Sequence, residues 1–185
     1  MSATQPYTRA PQITVRSAGA NDVPALAAIG ALAFTQAYNQ PAQPDDRSLG
    51  RGGNYRAQVV ARELCSPGCL YLIAEVGGRA AGFGKLRESE SPPCIPGQKP
   101  IEVSQLYVLR EFRSAGVGSQ LMGAMLEEAR RRQADAIWLG IWERARLERA
   151  FYTKWGFVEV GSHDVWVGSD QQTDTLMYRP VNHET

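Results

Sequence analysis

The chain has 185 residues, of which 43% are hydrophobic and 21% are charged, and its formal net charge is +1. This balance is typical of a globular protein and excludes a broad basic field, so binding to nucleic acids or anionic membranes would need a local basic patch. The longest apolar stretch, residues 23–34, is too short to span a bilayer, and residues 1–11 lack the apolar run of a signal peptide. We therefore expect a cytoplasmic protein with a flexible tail at 1–11 and a single domain at 12–185.

The cysteine and histidine content indicates neither a metal site nor a disulfide framework. Three cysteines, Cys65, Cys69 and Cys94, cannot form an even set of bridges, so we expect them to be reduced. The two histidines, His163 and His183, lie far from the cysteines in sequence, so we expect no metal.

The first third of the chain predicts one strand followed by two helices. Residues 13–16 alternate in the manner of a strand, and Asn21 or Asp22 can cap the helix that follows. Turn-forming and charged residues at 39–53 predict a long loop, after which a second helical pattern begins at Asn54.

The middle of the chain predicts strands. Residues 70–76 and 80–86 are two strands joined by Gly77-Gly78, which is a two-residue hairpin signal. A proline-rich loop at 88–100 then leads to a longer, β-branched strand at 101–109.

The last third predicts a helix, a strand, a second helix and two closing strands. These elements are expected at 117–132, 136–142, 145–155, 157–160 and 175–178. A polar loop containing Gly161 and Gly168 is expected between the last two strands. The complete order, β-α-α-β-β-β-α-β-α-β-β, predicts an α/β fold with one mixed central sheet flanked by helices.

The turn between strand 101–109 and helix 117–132 carries the strongest chemical signal. It reads Arg113-Ser114-Ala115-Gly116-Val117-Gly118, and its two glycines let the backbone approach a ligand without intervening Cβ atoms. Successive N–H groups of the turn and of the helix start would point at one spot, where the helix dipole also favours an anion. The turn therefore predicts a cradle for a phosphate group.

Three nucleotide-binding patterns compete for this turn. A dinucleotide-binding G-x-G-x-x-G would need a third glycine where Leu121 stands, although Glu143 is a loose candidate for its ribose-binding acid. A G-x-x-x-x-G-K-[ST] loop fails at residues 78–85, because its first glycine is misplaced by one and Leu86 replaces the hydroxyl residue. The best match is Arg/Gln-x-x-Gly-x-Gly/Ala between a strand and a helix.

Two blocks at a consistent spacing carry a resemblance to a known family. The segment LYVLREFRSAGVGSQLM at 106–122 resembles the acetyl-CoA-binding core of the Gcn5-related N-acetyltransferase (GNAT) superfamily. The segment ERAFYTKWGF at 148–157 resembles the superfamily pattern A-x-x-F-Y-x-x-x-G-F. The resemblance runs from residue 13 to the end and implies the GNAT acyl-CoA N-acyltransferase fold. The strand at 102–108 and the strand end LGIWE are similar to the bacterial spermidine/spermine acetyltransferase-like branch.

The resemblance implies where acetyl-CoA would bind. Strands 101–109 and 136–142 would splay apart, and the thioester would sit in the V between them. Backbone groups would pair with the pantetheine arm at Leu106, Tyr107 and Val108. Backbone N–H groups would hold the pyrophosphate at Arg113, Ser114, Ala115, Gly116, Val117, Gly118 and Ser119. The superfamily often has an asparagine after the fifth strand, and Ala145 near that position removes a side-chain contact to the cofactor.

The resemblance also places Tyr152 beside the sulfur of CoA, as the general acid. Adjacent helical positions point about 100° apart, so one of Phe151 and Tyr152 must face the core. Because phenylalanine suits a core better, we assign Phe151 to the core with Leu147 and Ala150, which leaves Tyr152 facing the cleft.

Glu102 is the candidate general base. Strand alternation puts Glu102, Ser104 and Leu106 on one face and Val103, Gln105 and Tyr107 on the other. If the apolar face is the core, Glu102 lies close to the mouth of the cleft, where its carboxylate could take a proton through water.

Trp142 and Glu143, at the end of the fifth strand, are expected to line the acceptor pocket. With Glu102, Asp45 and Asp46 they predict a small-molecule amine acceptor of cationic character, such as a polyamine. The chemistry implied is direct attack of the amine on the thioester in a ternary complex, with no metal and no covalent enzyme intermediate. Two alternatives stay open: a non-catalytic acyl-CoA-binding sensor of the same fold, and a Rossmann-type NAD(P) oxidoreductase. A homodimer is also left open.

Overall fold

The computed structural model describes residues 12–38, 55–167 and 170–181. Within them, seven strands and four helices follow one another in the predicted order. They are β1 (Ile13–Ser17), α1 (Val23–Tyr38), α2 (Ala57–Leu64), β2 (Cys69–Val76), β3 (Arg79–Arg87), β4 (Pro100–Val108), α3 (Val117–Arg131), β5 (Ala136–Trp142), α4 (Arg146–Lys154), β6 (Val158–Val167) and β7 (Asp170–Pro180). The predicted tail at 1–11 and loop at 39–53 lie outside the described residues.

The strands form one mixed sheet in the order β1-β2-β3-β4-β5-β7-β6. Every neighbouring pair is antiparallel except β4–β5, which is parallel. The predicted hairpin turn at Gly77-Gly78 joins β2 to β3. A dinucleotide-binding Rossmann sheet is mostly parallel, so this topology does not favour the NAD(P) alternative.

Different helices cover the two faces of the sheet. In β2, Leu72 and Ala74 pack with α3 in the larger core cluster, whereas the alternating residues Tyr71 and Ile73 pack with α1 and α2 in a second cluster. The predicted inner face of α3 is confirmed, since its four positions are all buried: Val117, Leu121, Met125 and Ala129. No helix among the described residues is long and apolar enough to cross a membrane.

A β-bulge in β4 changes which face its side chains occupy. The pairing of β4 with β3 skips Ser104, which is therefore an extra residue in the strand. As a result, Val103 and Leu106 both pack in the larger cluster, whereas Tyr107 packs against the second one. The prediction that Val103 and Tyr107 share a face is wrong, because it assumed an unbroken strand.

Helix α4 faces the core differently from the prediction. Tyr152 is 8% exposed and belongs to the larger cluster, whereas Leu147 is 84% exposed. The Tyr152 ring packs edge-on against Phe157, with ring centroids 5.6 Å apart, and Phe151 is only partly buried. The assignment of Leu147 and Ala150 to the core is therefore wrong, and Phe151 packs against the larger cluster but is less buried than Tyr152. The Tyr152 ring packs against Phe157 and other residues of the larger cluster, and these contacts set which side of α4 faces the core.

Strands β6 and β7 form a longer hairpin than the sequence predicts. The expected polar loop between 160 and 175 is largely strand, and Gly161 lies inside β6 at an irregularity of the pairing. Gly168, the other glycine of that loop, lies outside the described residues. Because β6 is the edge strand, most of its side chains are exposed, and a polar sequence can still pair.

Candidate active site

A V-shaped cleft opens between β4 and β5. Their parallel pairing consists of three residue pairs, of which the last joins Glu102 to Trp138. Beyond that pair, among the described residues, β4 pairs only with β3 as far as Val108, and β5 only with β7 as far as Trp142. The inner edges of both strands therefore present open backbone N–H and C=O groups, which an extended ligand can pair with.

The N-terminus of α3 follows the open end of β4. Gly116 caps this helix with a φ of 90°, a left-handed conformation that favours glycine. Gln120 is the first residue to donate within the helix, with its N–H 3.0 Å from the carbonyl of Gly116. The preceding N–H groups of Val117, Gly118 and Ser119 have no acceptor in the helix, and no side chain caps them. Open donors at a helix start suit a phosphate group.

Two amides of the predicted phosphate cradle have acceptors within the chain. The Arg113 N–H donates to the Arg110 carbonyl at 3.3 Å, and the Ala115 N–H donates to the Phe112 carbonyl at 3.4 Å. These two amides close the turn before α3. The N–H groups of Ser114 and Gly116 have no backbone acceptor among the described residues, so they add to the open donors at the start of the helix.

The environment of Tyr152 keeps its phenol protonated. Burial raises the pKa of Tyr152 above its ordinary value, and the nearby Glu148 carboxylate and Tyr107 hydroxyl raise the pKa further. Its hydroxyl makes no hydrogen bond with the residues that the structure describes. A phenol in this environment stays protonated at neutral pH.

The backbone around the cleft is held by contacts outside it. The Tyr107 hydroxyl lies 2.9 Å from the hydroxyl of Tyr55, which ties β4 to the chain just before α2. At the other strand, the N–H of Ala145 donates to the carbonyl of Trp142 at 2.8 Å, and no side chain caps α4. The turn after β5 therefore offers backbone groups at Ala145.

Glu102 lies at the closed end of the cleft and not, as predicted, at its mouth. Its side chain is 14% exposed. Oε2 accepts hydrogen bonds from Arg87 Nε at 3.0 Å, Arg87 Nη2 at 2.9 Å and Ser89 Oγ at 2.7 Å. Oε1 accepts none from the described part of the chain, so this oxygen can hold a water molecule.

Trp142 and Glu143 end β5 as predicted, and both contact Arg144. The Arg144 guanidinium carbon lies 5.8 Å from the centroid of the Trp142 ring. Its Nε is 3.7 Å from Oε1 of Glu143. The chain itself supplies a cation at this point, so a bound cation would have to displace Arg144. Asp45 and Asp46, expected to join these residues, lie outside the described residues.

Two buried polar groups near the cleft were not predicted. Lys85 is 4% exposed, and its Nζ lies 2.7 Å from Oε1 of Glu63, while the Tyr71 hydroxyl donates to the other carboxylate oxygen. Asp174 is 2% exposed and stands opposite Trp142 in the β5–β7 pairing. The only sequence signal for either residue is a polar side chain at an inward strand position, and recognising it requires the register of the sheet.

One face of the sheet collects the side chains that border the cleft. Directly paired residues share a face, as do alternate residues along a strand. Ile137, Leu139 and Ile141 of β5 pack on the α3 side, so the other side chains of β5 point away from α3. We call this side the far face, and its members at the cleft are Glu102, Trp138, Gly140, Trp142 and Asp174.

A parallel strand pair that opens into a V, followed by a helix start with open N–H donors, defines an acyl-CoA-binding transferase fold. The family described as "Acetyltransferase (GNAT) family" matches residues 28–157, and the chain belongs to this family. The predictions of the superfamily, its fold and an acyl-CoA-dependent N-acetyltransferase are thereby confirmed, and neither alternative function is favoured.

Individual relatives agree with this assignment. The chain is 25% identical over 160 residues to an uncharacterized N-acetyltransferase of Lactobacillus delbrueckii subsp. lactis, covering 86% of this chain and 92% of that one. It is 27% identical over 160 residues to an uncharacterized N-acetyltransferase of Mycobacterium tuberculosis, and the match covers 86% of this chain and 98% of that one. Among solved structures, the fold is shared by yncA of Salmonella typhimurium, a putative acetyltransferase with its cofactor acetyl-CoA. The TM-score is 0.71 at 16% identity, and the match covers 93% of this chain and 95% of that one.

Proposed function

We propose that the chain transfers an acetyl group from acetyl-CoA to a primary amine, by direct attack within a ternary complex. The observation that supports this proposal most directly is the cleft between β4 and β5. The inner edges of both strands are open, and β4 leads to the open N–H groups at the start of α3. Acetyl-CoA, when bound, supplies the acyl thioester. Helix α3 packs on one side of the sheet, whereas α1 and α2 cover the far face over β2 and β3. An amine would therefore reach the cleft from the far face, at β5.

The backbone would hold the co-substrate in two places. The inner edge of β4 at Leu106, Tyr107 and Val108 would pair with the pantetheine arm, because no strand of the described chain pairs with that edge. The N–H groups of Val117, Gly118 and Ser119 would hold the pyrophosphate, supported by the helix dipole.

Two side chains would move protons. Oε1 of Glu102 would take the ammonium proton through a water molecule, while Arg87 holds Oε2 in place. The Tyr152 hydroxyl, which is protonated at neutral pH, would give its proton to the departing sulfur. The peptide N–H groups of the splayed strand edges would stabilise the developing oxyanion.

We propose a small polyamine such as spermidine as the first acceptor to test. Its support is the far face, where carboxylates of Glu102 and Asp174 border the cleft and the Trp142 ring offers an apolar surface for a methylene chain. We place the reaction in the cytoplasm, which suits three free cysteines, Cys65, Cys69 and Cys94.

Release of free thiol from acetyl-CoA tests the proposal across polyamines, amino acids, aminoglycosides and peptides. We expect amine-dependent release and an acetylated amine in the mass spectrum. Glu102→Gln should slow turnover by about 10²–10⁴-fold, whereas Glu127→Gln, on the exposed side of α3, should not. Binding of acetyl-CoA without thiol release for any amine would instead support the non-catalytic sensor.

A further inference from the structure

Helix α4 has little apolar contact with the sheet in its first half. Tyr152 is the only buried residue of the helix, and it lies in the second half. From residue 146 to residue 150, every position except Arg149 is exposed. No side chain caps the start of the helix, where Ala145 stands. The position of this half of α4 therefore depends strongly on what the Arg149 side chain contacts.

The Arg149 guanidinium reaches the ends of three different strands. Its Nη1 donates to Oε1 of Glu159 on β6 at 2.7 Å. Its Nη2 donates to the backbone carbonyl of Glu143, directly after β5, and to Oγ1 of Thr175 on β7, both at 3.1 Å. A guanidinium holds its donors in a rigid planar fork, so these contacts fix the helix in more than one direction.

The contacts of Arg149 differ in how far water screens them. The ion pair with Glu159 is partly exposed on both sides, so by itself it would contribute little. Thr175 is 8% exposed, and its hydroxyl is shielded where it accepts from Nη2. The same Nη2 also holds the carbonyl of Glu143, which follows the strand that forms one side of the cleft. Arg149 thus joins α4 to the end of that strand.

Tyr152 depends on this placement for the position of its hydroxyl. Arg149 and Tyr152 lie three positions apart, so their side chains are neighbours on one face of α4. The Tyr152 hydroxyl makes no hydrogen bond with the residues that the structure describes. The helix backbone and the packing of the ring, with Phe157 among its contacts, therefore set where the hydroxyl lies. A shift of the start of α4 would move it.

We propose that Arg149 is a positioning residue, which holds α4 at the end of β5 and so keeps the Tyr152 hydroxyl within reach of the departing sulfur. This inference rests on the proposed acetyl transfer and deepens it by naming the residue that orients the acid. When the C–S bond of the thioester breaks, its electron pair goes to sulfur and the Tyr152 hydroxyl supplies the proton. The phenolate then regains a proton from water. Arg149 acts only through Tyr152.

A double-mutant cycle with Tyr152→Phe tests this role. Arg149→Met keeps the length of the side chain without its charge or donors, and it should lower kcat about 10–100-fold, because a shift of about 1 Å at a reacting group costs this much. In the Tyr152→Phe background, the same change should alter kcat by no more than about twofold, because the hydroxyl that it displaces is already absent. A merely structural loss would instead be equal in both backgrounds.

A matched control and a second variant accompany this cycle. Arg146→Met is the control, since Arg146 is exposed on the same helix, and it should leave kcat unchanged. If Arg149→Met does not fold, Thr175→Val removes only a hydroxyl that accepts from Nη2. It should lower kcat in the same direction, and again only while Tyr152 is present.

The outcomes separate the proposals. A wild type that releases no thiol with any amine overturns acetyl transfer and the role of Arg149 with it. A wild-type rate in Tyr152→Phe overturns the acid and its positioning residue, while acetyl transfer stands. If Tyr152→Phe is slow, and Arg149→Met, or Thr175→Val in its place, causes no loss or the same loss in both backgrounds, the role of Arg149 alone is overturned.

Discussion

Gly118→Asp should separate the stability of the free protein from its affinity for CoA, because the two respond in opposite directions to a negative charge at the start of α3. Gly118 is the second residue of this helix, and its N–H is one of the open donors. Without ligand, the aspartate carboxylate faces the positive end of the helix dipole, which is worth about 0.3–1 kcal/mol. With CoA present, the same charge stands where the pyrophosphate belongs and repels it.

The size of both effects can be estimated. CoA at about 100 times its dissociation constant should stabilise the wild type by about 2.7 kcal/mol. For a chain of this length, each kcal/mol shifts the melting temperature by about 2–4 °C, so the expected increase is about 5–11 °C. In Gly118→Asp we expect this increase to disappear, while the free variant melts about 1–4 °C above its uncharged counterpart.

Gly118→Asn is the matched control, since it has the shape of the aspartate without its charge. A Cβ at this position meets the Phe151 ring at 3.7 Å, an ordinary contact, so both variants should fold. Differential scanning fluorimetry with and without CoA is the assay, and the asparagine variant should keep a larger CoA shift than the aspartate variant. A wild-type CoA shift in Gly118→Asp would refute the location of the phosphate cradle.

Three further sets of variants test Tyr152 as the general acid, the orientation of α4 and the contribution of ionised Asp22 to stability. Tyr152→Phe should keep the thermal shift given by CoA and lower kcat about 10²–10⁴-fold. Because the pKa of Tyr152 is raised, ionisation of this group should not reduce the rate of the wild type below about pH 10. Tyr152→Ala should cost about 3–5 kcal/mol in a denaturant melt and Leu147→Ser less than about 0.5 kcal/mol; the reverse order would contradict the orientation of α4. Hydrogen bonds from Arg16 and the Gly19 N–H lower the pKa of Asp22 to about 2, so Asp22→Asn should be less stable than wild type at neutral pH, and the difference should fade as the pH falls through that value.

The elements of the fold were predictable where a local signal decides them. The Gly77-Gly78 turn, the glycine at the start of α3 and the inner face of that helix depend on residues adjacent in the chain, and all three are present. The bulge at Ser104 was not predictable, because it exists only in the pairing of β4 with β3. The orientation of α4 also depends on a distant partner, Phe157 with its cluster, which accepts Tyr152 and leaves Leu147 outside.

The CoA-binding part and the amine-binding part of the candidate site also differ in how far the sequence predicts them. Groups proposed to hold CoA are backbone atoms of one continuous segment, from β4 through the start of α3, so a short motif specifies them whatever side chains surround it. Groups proposed to hold the amine are side chains of β4, β5 and β7, and their order in the chain does not give their order in space. Asp174 lies beside Gly140 on the far face only because β7 pairs with β5. A motif can therefore identify the acyl donor in a chain such as this one, whereas the acceptor has to be inferred from the register of the sheet.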